Sequence, residues 1–308
     1  MAARTGIARR VVLQAGGALG LAALGANAAA AVPIHLRDAL GRDVVLPRPA
    51  QRIVTIFSSN TELVAALGLA GRIVGIEQYT RFPPEVAELP RVGGRLGFSV
   101  DAVVAQRPDL VIVTPARQAA HQLVDPMERI GVPVMVLLSR SLGEVIGNVR
   151  LVARAAGDEA RGAALAASLE QRLQRVDLQR AGQAAPRALM VTGRMGNGML
   201  LVARPGTYTH EAMLRAGTQH ALPGVGTLAQ VSPEALLAAD PDVLLFAGAQ
   251  AGLDELVRRP GWRDMRAVRS RRAVTVSRAE FLIPGPRTFD GIESLAQRLL
   301  QMQRKDPT

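Results

Sequence analysis

The sequence predicts an α/β protein of two similar lobes, each with a parallel sheet, joined by one long α-helix. Three observations carry that expectation. Short apolar runs alternate with amphipathic helical stretches along the chain, the pattern of strands buried on both faces. A segment beginning at Ser99 recurs without a gap at Ser232, 133 residues later. Between the copies, residues 142–180 read as helix, with no glycine- or serine-rich linker.

The elements follow in order. Residues 1–31 hold no acid, three arginines (Arg4, Arg9 and Arg10), an apolar run over 11–24, and then small residues with Ala26-Asn27-Ala28 and Ala29-Ala30-Ala31 as A-x-A cleavage sites. That is the layout of an export signal, and the apolar run is short against the roughly 20 residues of a spanning helix. Arg9-Arg10-Val11-Val12-Leu13 also suits the twin-arginine route. The first lobe, residues 32–141, has strands expected at 53–57, 73–76, 110–113 and 132–138. The second, residues 183–308, has them at 188–192, 243–246 and 273–276.

In both copies of the repeat a serine N-cap (Ser99, Ser232) precedes a first-turn acid (Asp101, Glu234). An amphipathic helix, a Pro-Asp turn (Pro108-Asp109, Pro241-Asp242) and a buried strand follow. A second echo pairs Asn60-Thr61-Glu62 and Gly68 with Thr209-His210-Glu211 and Gly217. Each is a helix start followed by a C-terminal glycine, with Glu62 and Glu211 expected as first-turn acids. The helical segment, residues 142–182, contains the strut. Asp158 is its expected cap and Ala160, Ala164, Leu165, Leu169 and Leu173 its apolar positions, giving a rod of about 35 Å at 1.5 Å per residue.

Composition excludes several classes. The chain has 308 residues, 48% hydrophobic and 20% charged, which is too apolar for disorder. With no cysteine there are no disulfides, thiolate metal sites, thiol nucleophiles or acylated N-terminal cysteine, so the exported product is expected to be soluble and not a lipoprotein. The formal net charge is +11, and 36 of the 37 basic residues are arginine. They are scattered, without a basic helix, so an anionic small molecule is a better partner than nucleic acid. His210-Glu211 lacks a second histidine four residues on, residues 193–198 lack Gly-Lys-Ser/Thr, and no G-x-S-x-G occurs. His35, His121, His210 and His220 have no ligand spacing. No enzyme is expected.

A series of phrases then resembles a known family. They are Asp38-Ala39-Leu40-Gly41-Arg42, Gln51-Arg52-Ile53-Val54, Ser59-Asn60-Thr61-Glu62 with Ala66-Leu67-Gly68, Gly75-Ile76, Val92-Gly93, Pro108-Asp109-Leu110-Val111-Ile112, Gly131-Val132-Pro133-Val134, and Pro260-Gly261-Trp262 with Ala267-Val268. In this order they resemble the periplasmic substrate-binding proteins of ABC importers for ferric siderophores, haem and vitamin B12. The resemblance implies two Rossmann-like lobes joined by one long helix, a ligand cleft between them, and a monomer that hands its cargo to the permease and ATPase subunits in the inner membrane. It also implies that one acid on each lobe docks against the permease, a role that falls on Asp101 and Glu234.

Ligands of open parallel sheets sit beyond the carboxyl ends of the strands. That rule selects Phe57 and Ser58, Tyr79 and Arg81, Arg95, and Arg117 in the first lobe, and Arg194, Met195, Tyr208 and Phe281 in the second. Six of the nine aromatics fall in such loops, as expected of a lining for a bulky, partly apolar ligand. The arginines favour an anionic ferric siderophore. The Tyr79 loop with Phe82-Pro83-Pro84 suits a corrinoid as the alternative. Haem ranks lower, because Gly94 stands where the family's haem binders carry an axial tyrosine. No resident cofactor is expected; iron or cobalt would arrive within the cargo.

Overall fold

A computed structural model describes residues 32–94, 97–114, 119–222 and 230–305; the export segment lies outside them, as do Arg95 and Arg117 of the expected ligand rim. Residues 32–308 cluster as one compact unit. The chain opens with a hairpin of β1 (Ile34–Arg37) and β2 (Asp43–Leu46). The first lobe continues through β3 (Ile53–Ile56), α1 (Ser58–Ala66), β4 (Ile73–Ile76), β5 (Gly93–Gly94), β6 (Gly97–Phe98), α2 (Val100–Ala105), β7 (Leu110–Val113), α3 (Ala119–Arg129) and β8 (Val134–Val136). Two helices follow, α4 (Leu142–Ala155) and α5 (Glu159–Arg180). The second lobe comprises β9 (Arg187–Arg194), β10 (Leu200–Val202), α6 (Tyr208–Arg215), β11 (Gln219–His220), β12 (Gln230–Val231), α7 (Pro233–Ala239), β13 (Val243–Ala247), α8 (Gln250–Val257), α9 (Arg266–Arg269), β14 (Ala273–Val276), α10 (Arg278–Leu282) and α11 (Arg287–Lys305).

The first-lobe sheet runs β4-β3-β7-β8, parallel throughout. The second runs β12-β10-β9-β13-β14, with β11 beside β9. Here the expectation of a wholly parallel sheet needs correction. β9, β11, β13 and β14 are parallel, but β10 is antiparallel to β9 and β12 to β10. The cause is the turn at 195–199, where Met195 N–H bonds the Met199 carbonyl at 2.9 Å and Gly198 adopts φ +84. A connection this short reaches only an antiparallel neighbour.

The repeat is structural. Ser99 and Ser232 cap α2 and α7 by accepting from Ala102 N–H and Ala235 N–H, each at 3.1 Å. After each helix the Pro-Asp aspartate clamps the start of the lobe's central strand. Asp109 accepts from Gln51 N–H at 3.0 Å and Arg52 N–H at 2.8 Å, and Asp242 accepts from Arg187 N–H at 3.0 Å. Burial pushes the Asp242 carboxyl up, but the Arg187 N–H and the Arg266 guanidinium together hold it below the usual range.

Alternation along each strand divides the core into three layers. Ile53, Leu110, Ile112 and Met135 of the first sheet join Ala188, Met190, Val243 and Leu245 of the second in one continuous cluster with α1, α4, α5, α6 and α11. The opposite faces form separate clusters, Val54, Val111 and Val113 in one and Leu189, Val191 and Leu244 in the other. This double burial is why the strands read as unbroken apolar runs.

Asp158 caps α5 as expected, accepting from Arg161 N–H at 3.2 Å. Leu169 and Leu173 are buried as expected and Leu165 packs against the core, but Ala160 and Ala164 are exposed, and Gly162, Ala166 and Val176 complete the buried face instead. Gly162 meets α4 closely, since a Cβ there would lie 2.3 Å from the Ala153 Cβ.

Candidate functional site

The carboxyl end of β3 carries an unusual backbone. Phe57 has φ +82, a conformation costly for a bulky side chain and often retained where function requires it. Its carbonyl accepts from Asn60 N–H at 3.1 Å. Asn60, 3% exposed, donates its amide to Ile56 O at 2.6 Å and accepts from the Thr114 hydroxyl at 3.2 Å, tying the ends of β3 and β7 together. Ser58 meets the buried Thr80 hydroxyl at 3.1 Å, joining this corner to the loop after β4.

That loop, residues 77–83, is held from beneath. Arg91 donates to Thr80 O at 2.7 Å and Glu77 O at 3.2 Å, and Arg81 donates to Gln78 O at 2.8 Å and Thr80 O at 3.0 Å. With its backbone pinned, the loop turns its aromatics outward: Tyr79 is 58% and Phe82 40% exposed. On the second lobe Met195 is 37% exposed at the β9–β10 turn. Arg278, two residues past β14, donates to Thr192 O at 2.8 Å and Ala247 O at 3.2 Å, pinning the carboxyl ends of β9 and β13.

Other expected rim residues stand differently. Arg194 is bound bidentately by Glu255 at 2.6 and 2.7 Å, which neutralises it. Phe281 is not a loop residue: it lies in α10, 1% exposed, in the continuous core. Tyr208 opens α6 half-buried, and burial pushes its phenol up to about 12, against a smaller lowering by Thr209, so it remains neutral at physiological pH. Beside it His210 meets His220 edge-to-face at 5.0 Å, and burial followed by the His220 charge lowers its pKa. Among the described residues no group of three or more His, Asp or Glu could hold a metal ion.

Asp101 and Glu234 are exposed in the first turns of α2 and α7. Glu234 is held below the usual carboxylate range by its own backbone N–H and the Ser232 hydroxyl. The other matched pair of acids departs from the expectation in one member: Glu211 lies in the first turn of α6, but Glu62 lies in the second turn of α1, because that helix already starts at Ser58. Glu211 reaches across to accept from Leu142 N–H at 2.8 Å, at the start of α4. Glu62, 3% exposed, accepts from Arg287 Nε at 2.7 Å and from Nη2 of the same guanidinium. Burial pushes the Glu62 carboxyl up more than Arg287 pulls it down. A cavity of about 330 Å³ opens beside this pair, lined by α1, Phe82, α5 and the start of α11; a second, of about 350 Å³, lies within the second lobe beside β14, α10 and α11.

Sequence reasoning did not single out Asn60, Arg278 or Arg287 as site residues. Asn60 lay inside a recognised phrase, whereas nothing local marks the arginines among so many others.

Known proteins resemble this chain over nearly its whole described length. The family profile described as periplasmic binding protein matches residues 53–279. The chain is 25% identical over 279 residues to an uncharacterized ABC transporter substrate-binding lipoprotein, YvrC of Bacillus subtilis, covering 87% of this chain and 85% of that protein. It is 24% identical over 266 residues to the vitamin B12-binding protein of Vibrio cholerae, covering 84% and 92%. The periplasmic heme-binding protein RhuT from Roseiflexus superposes with a TM-score of 0.71 at 28% identity, covering 82% of this chain and 99% of that one. No helix among the described residues is long and apolar enough to cross a membrane.

Proposed function

Because the chain belongs to the periplasmic binding protein family and is a substrate-binding component of an ABC importer, we propose that its cargo is a flat, metal-centred macrocycle, a corrinoid or a haem, held in the cleft between the lobes. The observation that carries this reading is the outward display of Tyr79 on a pinned first-lobe loop, with Met195 exposed on the second lobe. Rigid aromatics with few rotatable bonds cover a planar ring at little entropic cost. A B12-binding and a heme-binding protein among the relatives favour the same class. The metal travels inside the cargo, and the protein needs no resident cofactor. It is exported to the periplasm, acts there as a soluble monomer, and delivers to a permease and its ATPase through Asp101 and Glu234.

A ferric siderophore is the second reading. Arg81 and Arg278 donate to carbonyl oxygens, which leaves their charge in place for an anionic chelate, whereas Arg194 is spent on Glu255. Thermal unfolding with cyanocobalamin, haemin, a ferric hydroxamate and a ferric catecholate separates the two. A ligand at about 1,000 times its dissociation constant stabilises by roughly 4 kcal/mol. A shift with cyanocobalamin or haemin, reduced by Tyr79→Ala, supports the macrocycle. A shift confined to the ferric chelates replaces it with the siderophore, and no shift with any of the four overturns both. Asp101→Lys and Glu234→Lys should leave cargo binding intact and abolish uptake.

A further inference from the structure

One side chain crosses from the second lobe to the displayed loop of the first. Arg287 is the first residue of α11, and its guanidinium has two neighbours on the other lobe. Its edge is held by the Glu62 carboxylate of α1, with Nε to Oε2 at 2.7 Å and Nη2 to Oε1. Its face covers the Phe82 ring, with Cζ 4.0 Å from the ring centroid. Phe82 ends the loop that presents Tyr79.

The environment makes this contact hard to open halfway. The Glu62 side chain is 2% exposed, and among the described residues its carboxylate has no hydrogen-bond donor other than Arg287. Ala65, Ala66, Leu165 and Leu169 line the adjoining cavity along with Glu85, Ser168, Arg172 and Asp290, and Arg172 is already held by Asp290 and Glu293, so withdrawal of the Arg287 guanidinium leaves the Glu62 carboxylate without its partner. Gly285 lies over it, its Cβ position 3.8 Å from Glu62 Oε2. Such a contact favours two states, made or broken, over a continuum.

We infer that Arg287 is a latch: it fixes the spacing of the two lobes and, through Phe82, holds the Tyr79 loop in its displayed position. Separation of the lobes at the permease then withdraws the guanidinium and frees the loop in the same movement, so release is coupled to docking. The coupling to cargo rests on the reading of the cleft given above. The latch itself does not, and its test needs no cargo.

The chain has no cysteine, so Glu88→Cys and Arg258→Cys, exposed positions on opposite lobes, carry unique spin labels for distance measurement. The cargo-free protein should give one narrow distance distribution. Arg287→Gln should raise the long-distance population at least tenfold and speed amide exchange at Gln78 and Thr80 by a similar factor, and Arg287→Lys should restore the spacing in part. Phe82→Leu leaves the buried pair in place, so it should speed exchange in the loop severalfold while the lobe distance stays unchanged. If Arg287→Gln fails to fold, Glu62→Gln, which keeps the side chain's shape, replaces it with the same expected opening. Wild-type distances and wild-type exchange in a folded Arg287→Gln or Glu62→Gln protein overturn the latch. That result would leave the cargo assignment untouched, just as a failed ligand panel would leave the latch standing.

Discussion

Phe281→Ala separates a core role from a cargo role at one residue. The ring is 1% exposed, and Cβ at Gly291 would lie 2.9 Å from its Cε2, so it sits hard against α11. Its backbone is tied at both ends, with Phe281 N–H to Ser277 O at 3.1 Å and Thr209 Oγ1 to Phe281 O at 2.8 Å, so the helix has little freedom to collapse into the space left behind. Truncating a buried phenylalanine costs roughly 3–5 kcal/mol. Here the new void adjoins the second-lobe cavity of about 350 Å³, whose lining includes Ser277, Glu280 and Arg298, so water can enter. That puts the cost near the lower end, about 3 kcal/mol, and lowers Tm by roughly 5 °C for a chain of this size. Scanning calorimetry reads the shift, with Tyr79→Ala as the comparison. At 58% exposure Tyr79 should change stability by no more than about 0.5 kcal/mol while weakening cargo binding. A Phe281→Ala protein with unchanged Tm and lost binding would refute the core assignment.

Other consequences concern charge and backbone. The chain has two tyrosines, and Tyr208 should titrate near 12, above its ordinary 10.0. Since the neutral phenol is favoured in the folded state, its contribution of about 2–3 kcal/mol is complete below the unfolded pKa and is lost as pH rises through the folded one. Phenolate absorbance and alkaline unfolding, each compared with Tyr208→Phe, check this, and one fully titrated step below about pH 11 would contradict it. Gly217→Ala places a Cβ 2.1 Å from Arg180 Nε at φ +97, and should destabilise by about 2–4 kcal/mol through backbone strain and displacement of the guanidinium. Gly131→Ala, at φ +74 in open space, should carry the backbone cost alone, about 1–2 kcal/mol, and equal losses in denaturant melts would discount the Arg180 clash.

The strands, the caps at Ser99, Asp158 and Ser232, and the Pro-Asp turns were legible because each is a local preference. A strand buried on both faces must be apolar at every position, and a cap needs its oxygen within three residues of the N–H it serves. The doubling of the chain was legible for the same reason, since matched local signals recur at a constant offset. The exposed side of the site was partly legible as well, because strand ends and the loops after them follow from strand positions.

The remainder depended on meetings between distant residues. Glu62 reads as a first-turn acid until Arg287, 225 residues later, arrives beside it. Phe281 reads as a loop aromatic until α11 covers it, and Arg194 as a free cation until Glu255 pairs with it. The antiparallel strands of the second lobe are too short to announce themselves by period. Local chain chemistry determines which elements form and where they end. Which charges are neutralised, which rings are covered and how one lobe grips the other are decided when those elements pack, because burial and pairing belong to the contact and not to either residue alone.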